Sequence, residues 1–202
     1  MKKIVIDGPP GSGKTTLLFG QSDSEKKLPH PPKNLSALGF NCLKESAAQA
    51  FFELSEKNIE PMSNNEYWFQ RIVEMEKEKY LSPKLEDAIY FFDRSFHHWI
   101  HFRQTLGIKL PDWYDEFNAK VRYDNPIFLF SPILSCDLTK SSGDKGAHVF
   151  TTAERLESYQ RTMSIYNDLN YQVIEVPMFS EDIFENTERR IEMILNHLKN
   201  FY

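Results

Sequence analysis

Residues 3–7, KIVID, form an almost unbroken apolar run closed by glycines, the pattern of a strand covered on both faces. Comparable short runs recur at 38–45 (LGFNCLKE), 88–93 (AIYFFD), 126–130 (PIFLF) and 171–176 (YQVIEV), so five strands are predicted. Between them the apolar positions move to helical spacing. One helix is expected to open in the glycine-rich turn after the first strand and to carry Leu17, Leu18 and Phe19. Others are expected over about 46–58, 64–80, 94–106 and 111–121. A helix from Thr152 would place Leu156, Tyr159, Met163 and Tyr166 on one buried face, and the last helix would turn Ile191, Ile194, Leu195 and Leu198 inward. The polar, proline-rich segment 21–34 and the stretch 131–150 read as loops.

Short apolar strands alternating with amphipathic helices predict an α/β fold, a parallel sheet with helices on both sides. No internal repeat or linker divides the chain, and 202 residues suit one domain with a sizeable core, 1–202. The net charge of −5 supplies no field for nucleic acid or an anionic membrane, so neither is an expected partner. No apolar run approaches the ~20 residues of a membrane span. The N-terminus passes straight into IVIDG with no signal-peptide pattern. Cys42 and Cys136 make neither a disulfide framework nor a zinc motif. A reducing, cytoplasmic setting is the expectation.

The chemistry begins at GPPGSGKTT. Gly8, Gly13, Lys14 and Thr15 fit G-x-x-x-x-G-K-[ST], and the cradle comprises Gly8, Pro9, Pro10, Gly11, Ser12, Gly13, Lys14, Thr15 and Thr16. Its glycines permit a tight loop whose backbone N–H groups point inward at phosphate oxygens. Lys14 is expected to reach the β- and γ-phosphates, and the Thr15 hydroxyl to ligate magnesium. The plain alternative, a glycine-rich turn with an exposed lysine, does not account for the strand before it and the helix after it.

The third strand separates classes of P-loop protein. A regulatory GTPase would carry D-x-x-G and N-K-x-D, and neither is present. An oligomeric ATPase would end an apolar strand in Asp-Glu, whereas this one ends in Asp93-Arg94. At the C-terminal end of a parallel strand, such a pair faces the ligand crevice.

Asp-Arg at that place resembles the pair in nucleoside and nucleotide kinases, including thymidylate kinase and the deoxynucleoside kinases. The resemblance extends to compact AAA-like P-loop proteins that include the ribosylnicotinamide-kinase domain of NAD-biosynthesis regulators. GPPGSGKTTL, NCLKESA, FFDRS, CDLTK and VIEVP follow in the order of that group across nearly the whole chain. It implies a three-layer P-loop fold, kinase-like strand order 2-3-1-4-5, and a lid, here over 136–162. The lid of such kinases bears an arginine; this chain has Lys140 there, and Arg155 and Arg161 on the next helix are the alternatives.

Glu45, at the end of the second strand, is expected to act as general base on an acceptor hydroxyl, or to serve magnesium; its structural alternative is to stabilise the next helix. Asp93 is expected to hold magnesium or the acceptor, with an N-cap as the alternative. Arg94 would bind acceptor or phosphate, or form a surface ion pair. His97 and His101 lie four apart, but no Glu completes H-E-x-x-H, so a metal site there is rejected. Tyr67, Trp68, Phe69 and Gln70 read as core more than as an acceptor pocket. The expected activity is magnesium-dependent transfer of the γ-phosphoryl of ATP, with GTP left open, to a nucleoside, nucleotide or related metabolite. The rival is a slow, nucleotide-dependent regulatory module that signals to a protein partner through the 136–150 loop. A kinase that has lost turnover is the third reading.

Overall fold

The computed structural model of the protein describes residues 1–20, 32–57, 65–100, 103, 107–133 and 150–201. β1 (Lys2–Asp7) lies at the centre of a five-stranded parallel sheet of order β2-β3-β1-β4-β5, the order the resemblance implied. Its neighbours are β3 (Ile89–Asp93) and β4 (Ile127–Phe130), with β2 (Asn41–Leu43) and β5 (Val173–Val176) at the edges. Ile6 is paired with both Asp93 and Phe128, so the C-terminal ends of the three inner strands lie side by side.

Side chains alternate across β1 and build two separate cores. Val5 points into a layer with Phe92, Ile127, Phe69, Trp99 and Tyr114. Ile4 and Ile6 point the other way, toward Phe91, Phe128, Leu17 and Ile194. The first layer is covered by α2 (Ser46–Glu56), α3 (Asn65–Leu81), a 3-10 turn (Phe96–Trp99) and α4 (Trp113–Lys120). The second is covered by α1 (Lys14–Phe19) and α6 (Ile183–Phe201). α5 (Thr152–Asp168) starts at a capping box: Thr151 Oγ1 accepts from the Glu154 N–H, and Glu154 Oε2 accepts from the Thr151 N–H. No described helix is long and apolar enough to cross a membrane.

Three expectations are corrected. The second strand is three residues long, because Leu35–Gly39 form a turn, with the Asn34 side chain accepting from the Ala37 N–H at 2.8 Å. The segment after β3 opens as a 3-10 turn capped by Ser95, and residues 101, 102 and 104–106 of the expected helix lie outside the described residues. α5 is rotated from its apolar stripe: Leu156 is 38% exposed, while Arg155, Thr162 and Tyr166 face inward. Polar anchors set that rotation. Tyr166 donates to Asp7 Oδ2 at 2.6 Å and meets Ser95 Oγ at 2.7 Å, and Arg155 Nη1 donates to the Ile133 carbonyl at 2.7 Å.

Candidate active site

The candidate site at the C-terminal ends of β1, β2 and β3 is built first by the backbone. Gly8 follows β1 at φ 143°, and a Cβ there would stand 2.6 Å from the Phe130 carbonyl oxygen. Both facts require glycine. Gly8→Ala should therefore destabilise the fold by more than about 3 kcal/mol, seen as a lower urea midpoint with an unchanged slope. The Gly8 N–H donates to Asp7 Oδ1 at 2.7 Å, fixing the start of the loop.

Lys14 opens α1 and folds back over the loop. Its Nζ donates to the Gly8 and Pro9 carbonyls at 2.9 Å each and to Ser12 Oγ at 3.3 Å. Burial, reinforced by the nearby Arg94 charge, lowers its pKa, while Asp93, Glu45 and Asp7 oppose the shift. Thr15 is half-buried in the same turn, and Thr16 is buried.

β3 delivers Asp93 and Arg94. Arg94 adopts φ 64°, a left-handed conformation that a residue with a side chain seldom takes, and its N–H still donates to the Ile6 carbonyl at 3.0 Å. The side chain is consequently buried beside the loop. Nη1 donates to the Gly8 carbonyl at 3.1 Å and to His98 Nε2 at 2.7 Å, and lies 3.6 Å from Asp7 Oδ1. Nε lies 2.6 Å from Glu45 Oε1, an ion pair in which the N–H is not aimed squarely at the oxygen. With its Nε2 accepting from Arg94, His98 must carry its proton on Nδ1, which faces Asp7 Oδ2 at 3.1 Å. Burial, together with Arg94, lowers the His98 pKa and keeps the ring neutral. Asp7 stays ionised: burial opposes this, but His98, Arg94 and Tyr166 outweigh it and hold the carboxyl well below its usual range.

The two candidate carboxylates are pushed apart. Asp93 is 2% exposed, its Oδ1 is buried with no partner among the described residues, and burial plus the Glu45 charge raise its pKa to about 7. The Glu45 side chain is 27% exposed; burial would raise its pKa, but Arg94 and then Lys14 outweigh that and lower it. Glu45 stands at the N-cap position of α2, as its structural alternative required, whereas Asp93 does not take its own. Glu45 makes no side-chain cap on α2, and Ser95 caps the turn in place of Asp93. Below them, Lys79 Nζ donates to Glu76 Oε1 at 2.6 Å and to the Asp93 carbonyl at 3.0 Å, tying α3 to the end of β3.

Lys14, Glu45, Asp93 and Arg94 thus come together. Arg94 is a buried strut instead of a surface pair. Arg155 is buried at the start of α5, against the segment after β4. Arg161 stands apart, paired with Glu157 one turn earlier at 2.5 Å with its side chain 39% exposed. Lys140 and the 136–149 part of the expected lid lie outside the described residues. His97 contacts Asn118 Oδ1 and the Tyr171 hydroxyl, and burial pushes its pKa down to about 4; His101 is outside the described residues. Phe69 is core, Trp68 and Gln70 are partly buried, and Tyr67 is exposed.

Sequence reasoning missed Asp7, His98, Tyr166, Glu76, Lys79 and Arg190. For Arg190 a signal existed: it precedes Ile194 by one helical turn and so sits on the buried face of α6.

A parallel sheet of this order, with a glycine-rich loop between its central strand and the next helix, defines a nucleotide-binding P-loop domain. Residues 3–185 match the family described as AAA domain, and the chain belongs to that family. Among solved structures it is similar to NadR protein in complex with NAD and AMP-PNP, with a TM-score of 0.55 at 14% identity over 95% of this chain and 49% of that one. It is similar also to NadR protein in complex with NR, with a TM-score of 0.56 at 14% identity over 95% and 50%. The chain spans about half the length of the solved structures it matches. No curated protein sequence matches it. The resemblance expected from GPPGSGKTTL and FFDRS is borne out at the level of family and fold.

Proposed function

We propose that the protein is a magnesium-dependent phosphotransferase that moves the γ-phosphoryl of ATP to a small acceptor, a nucleoside, nucleotide or related metabolite. The observation that carries this reading is the gathering of Lys14, Glu45 and Asp93 at one end of the sheet, close enough to shift one another's pKa values. The loop and Lys14 hold the donor phosphates, with the Lys14 amine exchanging its carbonyl partners for phosphate oxygens. The unpartnered Asp93 Oδ1 and the Thr15 hydroxyl are hard oxygen donors of the kind that magnesium takes. Bound there, magnesium would neutralise charge on the phosphate oxygens.

Glu45, the more accessible carboxylate, accepts the acceptor's hydroxyl proton. Its lowered pKa suits phosphoryl transfer through a loose transition state, where positioning counts for more than base strength. Arg94 keeps that carboxylate ionised and oriented. Arg155 is the better placed of the two described lid arginines, being buried beside the segment after β4.

Glu45→Gln should reduce acceptor-dependent turnover by about 100-fold or more and leave ATP affinity within about threefold, as measured by ADP release and by direct titration. Full activity would remove Glu45 from the mechanism. The reading itself is tested by ADP release from ATP and magnesium with pooled nucleosides, nucleoside monophosphates or pyridine ribosides. Strong stimulation by one pool is expected. A slow rate indifferent to every pool would favour the regulatory module.

A further inference from the structure

Arg190 lies in the middle of α6, 178 residues from the loop it touches. It is 1% exposed. Nη1 donates to the Ser12 carbonyl at 2.6 Å and Nε to the Pro177 carbonyl at 2.9 Å, while the guanidinium lies over the Phe130 ring at 4.6 Å. Among the described residues, Nη2 is buried with no partner and no carboxylate forms an ion pair with this arginine. Burial alone lowers its pKa, to about 10, so the group is a cation at neutral pH. An uncompensated buried cation is costly, and a structural strut would ordinarily come with a carboxylate.

The peptide it grips explains the expense. In a trans peptide the C=O and the following N–H point in opposite directions. Holding the Ser12 carbonyl on the α6 side therefore turns the Gly13 N–H to the opposite side, into the cradle. The packing is close: a Cβ on Gly13 would stand 3.1 Å from Arg190 Nη1, and Gly13 itself has φ 86°.

We infer that Arg190 is a positioning residue for the nucleotide phosphates: it sets the Ser12–Gly13 peptide so that its N–H faces them, and its buried charge is balanced when a polyphosphate binds. The inference rests on the nucleotide-binding reading. It makes α6 part of the phosphate site, contributing from behind the loop. It also accounts for the Pro177 contact, through which the same side chain joins the loop to the end of β5.

The test compares the wild-type chain with Arg190→Met and Arg190→Lys by titration with ATP and magnesium, alongside thermal melting of the nucleotide-free proteins. Methionine fills similar volume and relieves the buried charge while leaving the Ser12 and Pro177 carbonyls without their donor, so the two effects offset and the melting temperature of R190M should stay within about 5 °C of wild type. Its ATP affinity should fall at least about 10-fold, with R190K falling between the two. R190M binding ATP as tightly as wild type would overturn the inference. So would equal weakness of R190M and R190K with a melting temperature lowered beyond that range, which marks a packing role alone. Failure of the wild-type chain to bind ATP would instead sink the nucleotide reading.

Discussion

Lys14→Ala is expected to weaken ATP binding by about 100-fold and to abolish measurable phosphoryl transfer, with the folded state kept. The affinity figure follows from losing a charged group that makes more than one hydrogen bond, each worth roughly 1.5–3 kcal/mol. The loss in turnover is larger, because the same amine stabilises charge that develops only in the transition state. Stability should change little in the nucleotide-free protein. Lys14 is buried, and burial depresses its pKa, so removing it relieves a desolvated cation while costing three contacts within the loop. Titration calorimetry and a thermal melt on the same sample separate the two effects. Retention of wild-type affinity would remove the loop from nucleotide binding.

Asp93→Asn should trade function for stability. Folding raises the Asp93 pKa from 3.8 to about 7, so between those values the folded protein holds more protons than the unfolded chain. Stability therefore falls as pH rises through that window, and the full cost of the ionised carboxylate is present above pH 7. Asparagine removes that cost. At pH 8 the variant's melting temperature should exceed that of wild type by on the order of 5 °C, and the gap should close near pH 4. Acceptor-dependent turnover should fall by about 1,000-fold, with a higher magnesium requirement, because a neutral amide oxygen replaces the carboxylate. An equal loss of stability at both pH values would mean that Asp93 is a packing residue and not a poised carboxylate.

What could be read from the sequence was what is written locally. IVID and PIFLF are buried on both faces because they are inner strands, and a contiguous apolar run says so directly. The P-loop is a contiguous string whose glycines and lysine act together. Asp93-Arg94 announced itself by sitting where an inner strand ends. The supporting groups were hidden because each is polar within an otherwise apolar pattern and acts on a distant partner. Tyr166 meets Asp7 across 159 residues, and those anchors turn α5 away from the stripe that Leu156 suggested. Arg94 read as a ligand for acceptor or phosphate, or else a surface pair, and its burial under the loop follows from a left-handed backbone that no local string announces.

The measurement that bears most directly on the central claim follows the labelled γ-phosphate of ATP in the presence of magnesium and the most stimulating acceptor pool. The account predicts label in a phosphorylated acceptor, at a rate lost in Lys14→Ala. Label recovered only as inorganic phosphate, at a rate the acceptor does not change, would contradict it.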